Sequence, residues 1–302
     1  MTRAGGRRRA AGLAAIWLAS TARGALVIEF DYTYDTGGFF ADAGRRNCLE
    51  AAAAVYESAV RDDLFAVSSY DDNHWTNYFT NPQNGALQAV GDASIASNTF
   101  RLYVGARDLG ASTLGRGGPG GFTATGTADF VYGVWTRGQW GVTNDTDFAR
   151  WGGAVAFNST KSWYFDDDPS TVEAFPGQSD FFSTALHEIS HTLGFSSSDS
   201  FGQWISGANF TGPSSMALYG GPIPMSSQTN HWTNGTMSAY KGSPQEAAMD
   251  PDLTEGTRKY ITDLDWAALT DTGWVVIPEP AAAGLLFAGG LAAFLGRRRR
   301  RR

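Results

Sequence analysis

The sequence predicts an α+β fold, on three observations. Residues 27–34 alternate Val, Ile, Phe and Tyr with acidic side chains, the two-residue period of a half-buried strand, and residues 100–104 repeat the pattern. Residues 42–64 and 178–194 instead space their apolar side chains three and four apart, as amphipathic helices do. Thirty-seven glycines among 302 residues point to many turns, while 42% hydrophobic content is ample for a core, so a disordered chain, a coiled coil and a collagen are all excluded.

From the N-terminus, the strand at 27–34 leads into a helix over 42–64. Leu49, Ala53, Tyr56, Val60 and Leu64 form its apolar face, and Arg45, Arg46, Glu57 and Asp62 its polar one. Cys48 lies in this helix; as the single cysteine it makes no internal disulfide and reads as a small buried hydrophobe. Further strands are expected at 100–104, 130–135 and 154–157. Between them the GRGGPGG stretch, residues 115–121, reads as a plain loop, because it lacks the lysine and following helix of a phosphate-binding loop. The helix over 178–194 has Ser179 for its N-cap, Asp180 in its first turn and Gly194 at its end. A long aperiodic stretch rich in Ser, Gly, Asn and Pro follows, then a last helix over 262–272 closed by Gly273.

The formal charge of −7 conceals an asymmetry. Arginines crowd both ends, whereas residues 26–277 hold 12 basic against 29 acidic side chains, a balance of −17. Such a body repels nucleic acid, so no nucleic-acid partner is expected and the arginine runs belong to targeting. Residues 1–25 have the basic, apolar and small-residue segments of a secretory signal peptide. Residues 277–302 hold Pro278-Glu279-Pro280, an apolar run over 281–295 and six terminal arginines. Fifteen helical residues span about 22 Å, short of the roughly 30 Å of a bilayer core. This end resembles the PEP-CTERM sorting tail. The resemblance implies an exopolysaccharide-producing Gram-negative bacterium, transient membrane association, removal by an exosortase-type enzyme, and a secreted or cell-surface destination. A retained one-pass anchor is the alternative.

The chemistry is concentrated in His187, Glu188, Ile189, Ser190 and His191. Four residues make just over one helical turn, so both imidazoles lie on one face and can meet one ion, with Glu188 beside them as a base for a metal-bound water. A catalytic zinc needs a third protein ligand and an open position. His231, Ser197, Asp199 and His74 are the candidates.

Gly194 follows His191 by three residues in HEISHTLGF, and the segment resembles the active-site helix of metzincin metalloproteases. In the short form of that motif the third ligand would fall on Ser197, a poor zinc ligand. The leishmanolysin-like branch, with a long insertion before its third histidine and then a methionine turn, is matched by His231 and by Met249-Asp250-Pro251. The resemblance implies a twisted mixed sheet packed on two long helices, an N-terminal subdomain over 26–194, and a smaller irregular C-terminal subdomain over 195–276 across an active-site cleft. It implies Zn2+ on His187, His191 and His231, Glu188 as general base, Gly194 as the helix-breaking turn and Met249 as an apolar floor. Protein or peptide substrates would lie along an edge strand, expected at 153–157. A structural Ca2+ is also implied, with Asp166, Asp167 and Asp168 as the acidic run, although a solvated acidic turn before Pro169 is the preferred reading of these residues. Asp263 and Asp265 either cap the last helix or orient a zinc ligand from behind. The cysteines of the eukaryotic relatives are missing, as is the tyrosine some metzincins carry after the turn methionine. The expected function is therefore a secreted zinc endopeptidase; the alternative is a non-catalytic matrix or adhesion protein on the same scaffold.

Overall fold

The computed structural model describes residues 24–139, 147–166, 168–171 and 173–277. It is a mixed α+β structure. The chain runs through β1 (Val27–Asp31), a single 3-10 turn (Phe39–Ala41), α1 (Ala43–Ala59), β2 (His74–Thr80), β3 (Leu87–Gly91), β4 (Thr99–Arg107), β5 (Gly115–Pro119) and β6 (Gly121–Thr125). Next come α2 (Ala128–Thr136), β7 (Gly152–Asn158), β8 (Trp163–Tyr164), β9 (Ser179–Asp180) and α3 (Phe181–Thr192). The signal segment up to residue 23 and the tail from 278 lie outside the described residues, and no described helix is long and apolar enough to cross a membrane.

The main sheet has the order β1-β4-β7-β5. β1, β4 and β7 are parallel, with Val27 opposite Thr99 and Leu102 opposite Gly153, whereas β5 runs antiparallel to β7 with Gly117 opposite Val155. β4 is buried on both faces, so its alternation sorts side chains between two cores. Phe100, Leu102 and Val104 meet Leu49, Ala52, Ala53 and Tyr56 of α1 and Phe181, Leu186 and Ile189 of α3. Tyr103 points the other way and stacks on Phe79 at 4.0 Å, beneath a second sheet of order β3-β2-β6.

Four expectations need correction. The first helix stops at Ala59: Val60 is extended, and Arg61 N–H donates to Val275 O while Ile277 N–H donates to Ala59 O, so pairing with the distant C-terminal segment outcompetes a further turn. Residues 130–135 are helix α2, not strand. Thr127 Oγ1 accepts from Phe130 N, Asp129 sits in the first turn, and Phe130 and Val134, four apart, are its buried apolar residues. The glycine-rich loop expected at 115–121 is instead β5 and the start of β6. Finally, β7 is an interior strand paired on both sides, so the sheet's edge next to α3 is β5.

After α3 the chain forms short pieces: α4 (Asp199–Gly202), β10 (Ile205–Ser206), β11 (Asn209–Phe210), α5 (Pro213–Tyr219), β12 (Ile223–Pro224), β13 (Met237–Tyr240), β14 (Ser243–Glu246) and α6 (Asp263–Thr272). α6 ends where expected, on Gly273 at φ +119°. Its Asp271 carboxylate accepts from Ser214 N, Ser215 N and Ser215 Oγ, capping α5 from a distance.

Candidate metal centre

α3 begins one residue later than its sequence suggests. Asp180, not Ser179, is the cap, accepting from Ser183 N and Ser183 Oγ, and both its oxygens are held by Arg258. Tyr56 fixes the middle, its hydroxyl 2.6 Å from Leu186 O and 2.8 Å from Ser190 Oγ. At the far end Gly194 adopts φ +99°, where a Cβ would stand 3.0 Å from Phe148 Cδ2 and Ser198 Oγ. The turn sends Phe195 O back to His191 Nδ1 at 3.0 Å.

His231 reaches the same place from the aperiodic stretch. Its neighbour Trp232 is fully buried against Phe195, Phe201 and Phe210, with its N–H on Met249 O and its indole Nε1 on Asp265 Oδ1. Ser226 N–H donates to His231 O, pinning the other side. The three Nε2 atoms converge: His187 to His231 is 3.0 Å, His187 to His191 3.1 Å and His191 to His231 3.2 Å. His187 Nδ1 lies 2.8 Å from Ala248 O, so it and His191 Nδ1 each face a carbonyl and must carry the proton. Their Nε2 atoms are therefore left unprotonated and face one another, close enough to share a single metal ion. Three ligands of a tetrahedral centre with bonds of about 2.0 Å stand about 3.3 Å apart, close to these separations, so the donor set fits zinc. Burial, reinforced by the neighbouring imidazoles, holds His187 well below the ordinary histidine range; burial lowers His191 and, with His191 beside it, brings His231 down to about 4. Among the described residues this triad is the one group of three or more His, Cys, Asp or Glu within reach of a single ion.

Glu188 is buried, and burial pushes its carboxyl up to about 8 against the opposing pull of Gly117 N–H and the Arg116 charge. Gly117 N–H donates to Glu188 Oε2. The glycines of β5 make this possible. A Cβ on Gly117 would stand 2.2 Å from Glu188 O, and one on Gly115 2.6 Å from Glu188 Cγ. Residues 112–115, the face of α3 bearing His187 and Glu188, His231 and residues 250–255 surround a cleft of about 490 Å³.

The remaining expectations sort cleanly. Met249 is fully buried, one residue after the carbonyl that holds His187. Ser197 Oγ donates to His191 O, Asp199 opens α4, and His74 on β2 pairs with Asp92 at 3.0 Å, so none of the three joins the triad. Cys48 is buried, which pushes its thiol up to about 12. In the acidic run, Asp166 pairs with Arg258 at 2.6 Å and Asp168 turns onto Ser170, while Asp167 is outside the described residues.

Asp265 is the residue whose sequence signal left two roles open, and it caps the last helix while touching none of the three imidazoles. It completes a capping box with Thr262, and it accepts from Trp232 Nε1, Ala248 N and Met249 N, joining α6 to His231's neighbour and to the methionine turn. The Thr262-x-x-Asp265 spacing announced the cap; nothing local announced the three distant donors. Gly115 and Gly117 were missed, since their role depends on a helix some seventy residues away.

A family model described as SPBPB7E8-like matches residues 140–214, a stretch that includes α3 and the Gly194 turn. No curated protein and no solved structure matches the chain.

Proposed function

We propose that the chain is a secreted zinc-dependent endopeptidase of metzincin type. The observation that carries this reading is the meeting of three imidazole Nε2 atoms within 3.2 Å of one another, with Glu188 following His187 on the cleft side of the same helix. His187, His191 and His231 would hold the metal, and HEISHTLGF with the buried Met249 supports the metzincin assignment. Bound there, zinc would polarise the scissile carbonyl and lower the pKa of a coordinated water.

The chain's own residues supply the rest. Gly117 N–H occupies Glu188 Oε2 and leaves Oε1 to take a proton from the attacking water and pass it to the leaving amine. Burial makes this carboxylate a stronger base than an exposed one. The substrate lies along β5. Leu114 O and Gly120 N are bonded inward to β7, at Asn158 N and Gly152 O, so the alternation of an antiparallel pair turns the Gly115 N–H and the Gly115 and Gly117 carbonyls to the free edge. The first 25 residues serve export, and the PEP-CTERM-like tail serves sorting and removal by an exosortase-type enzyme.

Digestion of casein, read by mass spectrometry with and without a chelator, tests the reading. Cleavage should need zinc and fall by several orders of magnitude in Glu188→Ala, which keeps all three imidazoles. Undiminished cleavage by that variant refutes the mechanism; full zinc loading with no cleavage by the native chain favours the non-catalytic scaffold.

A further inference from the structure

A second cavity, of about 290 Å³, opens at the other half of β5 and is lined by Thr80, Gly85, Arg107, Arg116, Ala154 and Ala156 beside residues 117–119. No acidic residue lines it, in a body whose balance is −17. Arg116 is exposed, and its backbone pairs with Ala156 while its guanidinium makes no hydrogen bond or ion pair among the described residues. Arg107 is spent only on neutral carbonyls, Pro82 O at 2.7 Å and Asn81 O at 3.3 Å, and its guanidinium is held below its ordinary range by burial and by Arg116. Two like charges share a pocket lined by no acid, the Glu188 carboxyl that Arg116 biases lying outside the lining, although acids outnumber bases more than two to one within residues 26–277.

Register says what reaches this pocket. Arg116 lies opposite Ala156 and Gly118 opposite Ala154, so these side chains share the sheet face that is turned away from α3, whereas Val155 and Phe157 pack into the core with α3. A peptide added to the free edge of β5 would direct alternate side chains to that same outer face. The triad cleft adjoins residues 112–115 and the arginine pocket residues 117–119, with Glu188 touching Gly115 and Gly117 between them.

We propose that Arg116 and Arg107 form a specificity pocket for an acidic side chain, Asp or Glu, of a peptide extended along β5, on one side of the bond to be cut. This rests on the endopeptidase reading, and deepens it by naming the substrate class. Arg116 is the exposed, adaptable partner; Arg107 is the fixed one, anchored beside the β2–β3 turn.

The test uses the zinc-loaded full chain and a neutral decapeptide series in which one glutamate is walked through every position. Glutamate on one side of the scissile bond should raise kcat/KM about tenfold, the scale of one charge-assisted contact, mainly through KM. Arg116→Ala should bring that ratio near one, Arg116→Lys should restore part of it, and Arg116→Glu should invert it in favour of a lysine walked through the same positions. Cleavage with no glutamate preference, or a preference that Arg116→Glu leaves intact, overturns the pocket and leaves the endopeptidase reading standing. Fluorescence anisotropy of the same labelled peptides on Glu188→Gln reads binding without turnover. If no peptide is cut but glutamate peptides still bind in an Arg116-dependent way, the pocket stands and the endopeptidase reading falls; absence of both overturns both.

Discussion

Replacing Asp265 by alanine should weaken the fold and the metal centre together. The carboxylate accepts from Trp232 Nε1 at 3.0 Å, Ala248 N at 2.9 Å, Met249 N at 3.3 Å and Thr262 N at 2.9 Å, and from Thr262 Oγ1 at 2.7 Å. Alanine leaves three of these donors, from Trp232, Ala248 and Met249, buried without a partner at about 1 kcal/mol each, and removes a helix cap worth about another. Burial already pushes the Asp265 carboxyl up, so relief of its own desolvation returns part of that sum. The net loss is about 3 kcal/mol, or roughly 6–12 °C in melting temperature for a domain of this size. The same three donors lie next to His231 and in the turn that holds His187, so zinc affinity should fall about tenfold, as for outer partners of metal ligands. Urea unfolding and competition with a chromophoric chelator measure the two effects. Asp263→Ala is the control, being exposed in the same helical turn and expected within about 0.5 kcal/mol of the native chain. A variant at Asp265 within about 1 kcal/mol of native, with unchanged zinc affinity, would refute the assigned role.

The other expectations are more direct. His231→Ala should lose most bound zinc after dialysis against a weak chelator, while Asp199→Ala and His74→Ala stay near one ion per chain by plasma emission; the reverse pattern would remove His231 from the ligand set. Gly117→Ala should lower hydrolysis by at least a hundredfold, because its Cβ would collide with the α3 backbone and lift β5 from Glu188, whereas Gly118→Ala, with nothing within 4 Å, should melt like the native protein. At pH 7 the metal-free triad is neutral and Glu188, at about 8, is mostly protonated, so an arriving dication expels its proton. Calorimetry in buffers of different ionisation heat should show about one more proton released by the native chain than by Glu188→Gln at pH 7, and no difference at pH 9, where Glu188 is already ionised. Chelation should leave the far-ultraviolet circular dichroism unchanged while lowering the melting temperature; collapse of the spectrum would show that the metal builds the fold.

What could be read from the sequence divides by the range of the forces involved. The helix bearing His187 and His191 was legible because its apolar spacing and its terminal glycine are local, although its cap falls on Asp180 and not on the expected Ser179. The strand β5 was illegible for the converse reason. Glycine has little intrinsic preference for a strand, and the segment is extended because β7 offers an edge and because only a bare backbone passes Glu188 at this distance. Residues 130–135 were misread because Phe130, Tyr132 and Val134 alternate while Phe130 and Val134 also stand four apart, so a short run suits either period, and Thr127, which decides for helix, lies just outside it. The first helix ends early because Val60 and Arg61 find partners more than 200 residues away. His231 was reached through resemblance, since forty residues of aperiodic chain carry no local signal of where they return.

The triad's arrangement depends on how few of its supports involve the ligands themselves. α3 is clamped at its start by Asp180 on Arg258, at its middle by Tyr56 on Ser190, and at its end by Trp274 Nε1 on Leu193 O. His187 and His191 therefore ride on an element fixed by contacts that need no metal. The third sits on a loop, where fixation is harder, and there Trp232 anchors it in an aromatic cluster while Asp265 ties that indole to the methionine turn. Because Ala248 O in that turn also faces His187 Nδ1, a shift of the loop disturbs two of the three imidazoles at once rather than one. The three imidazoles are thus held in place by surrounding packing that does not depend on an ion. A site built in this way gains affinity from preorganisation, which is why loss of the remote Asp265 carboxylate should register in zinc binding although it touches none of the three imidazoles.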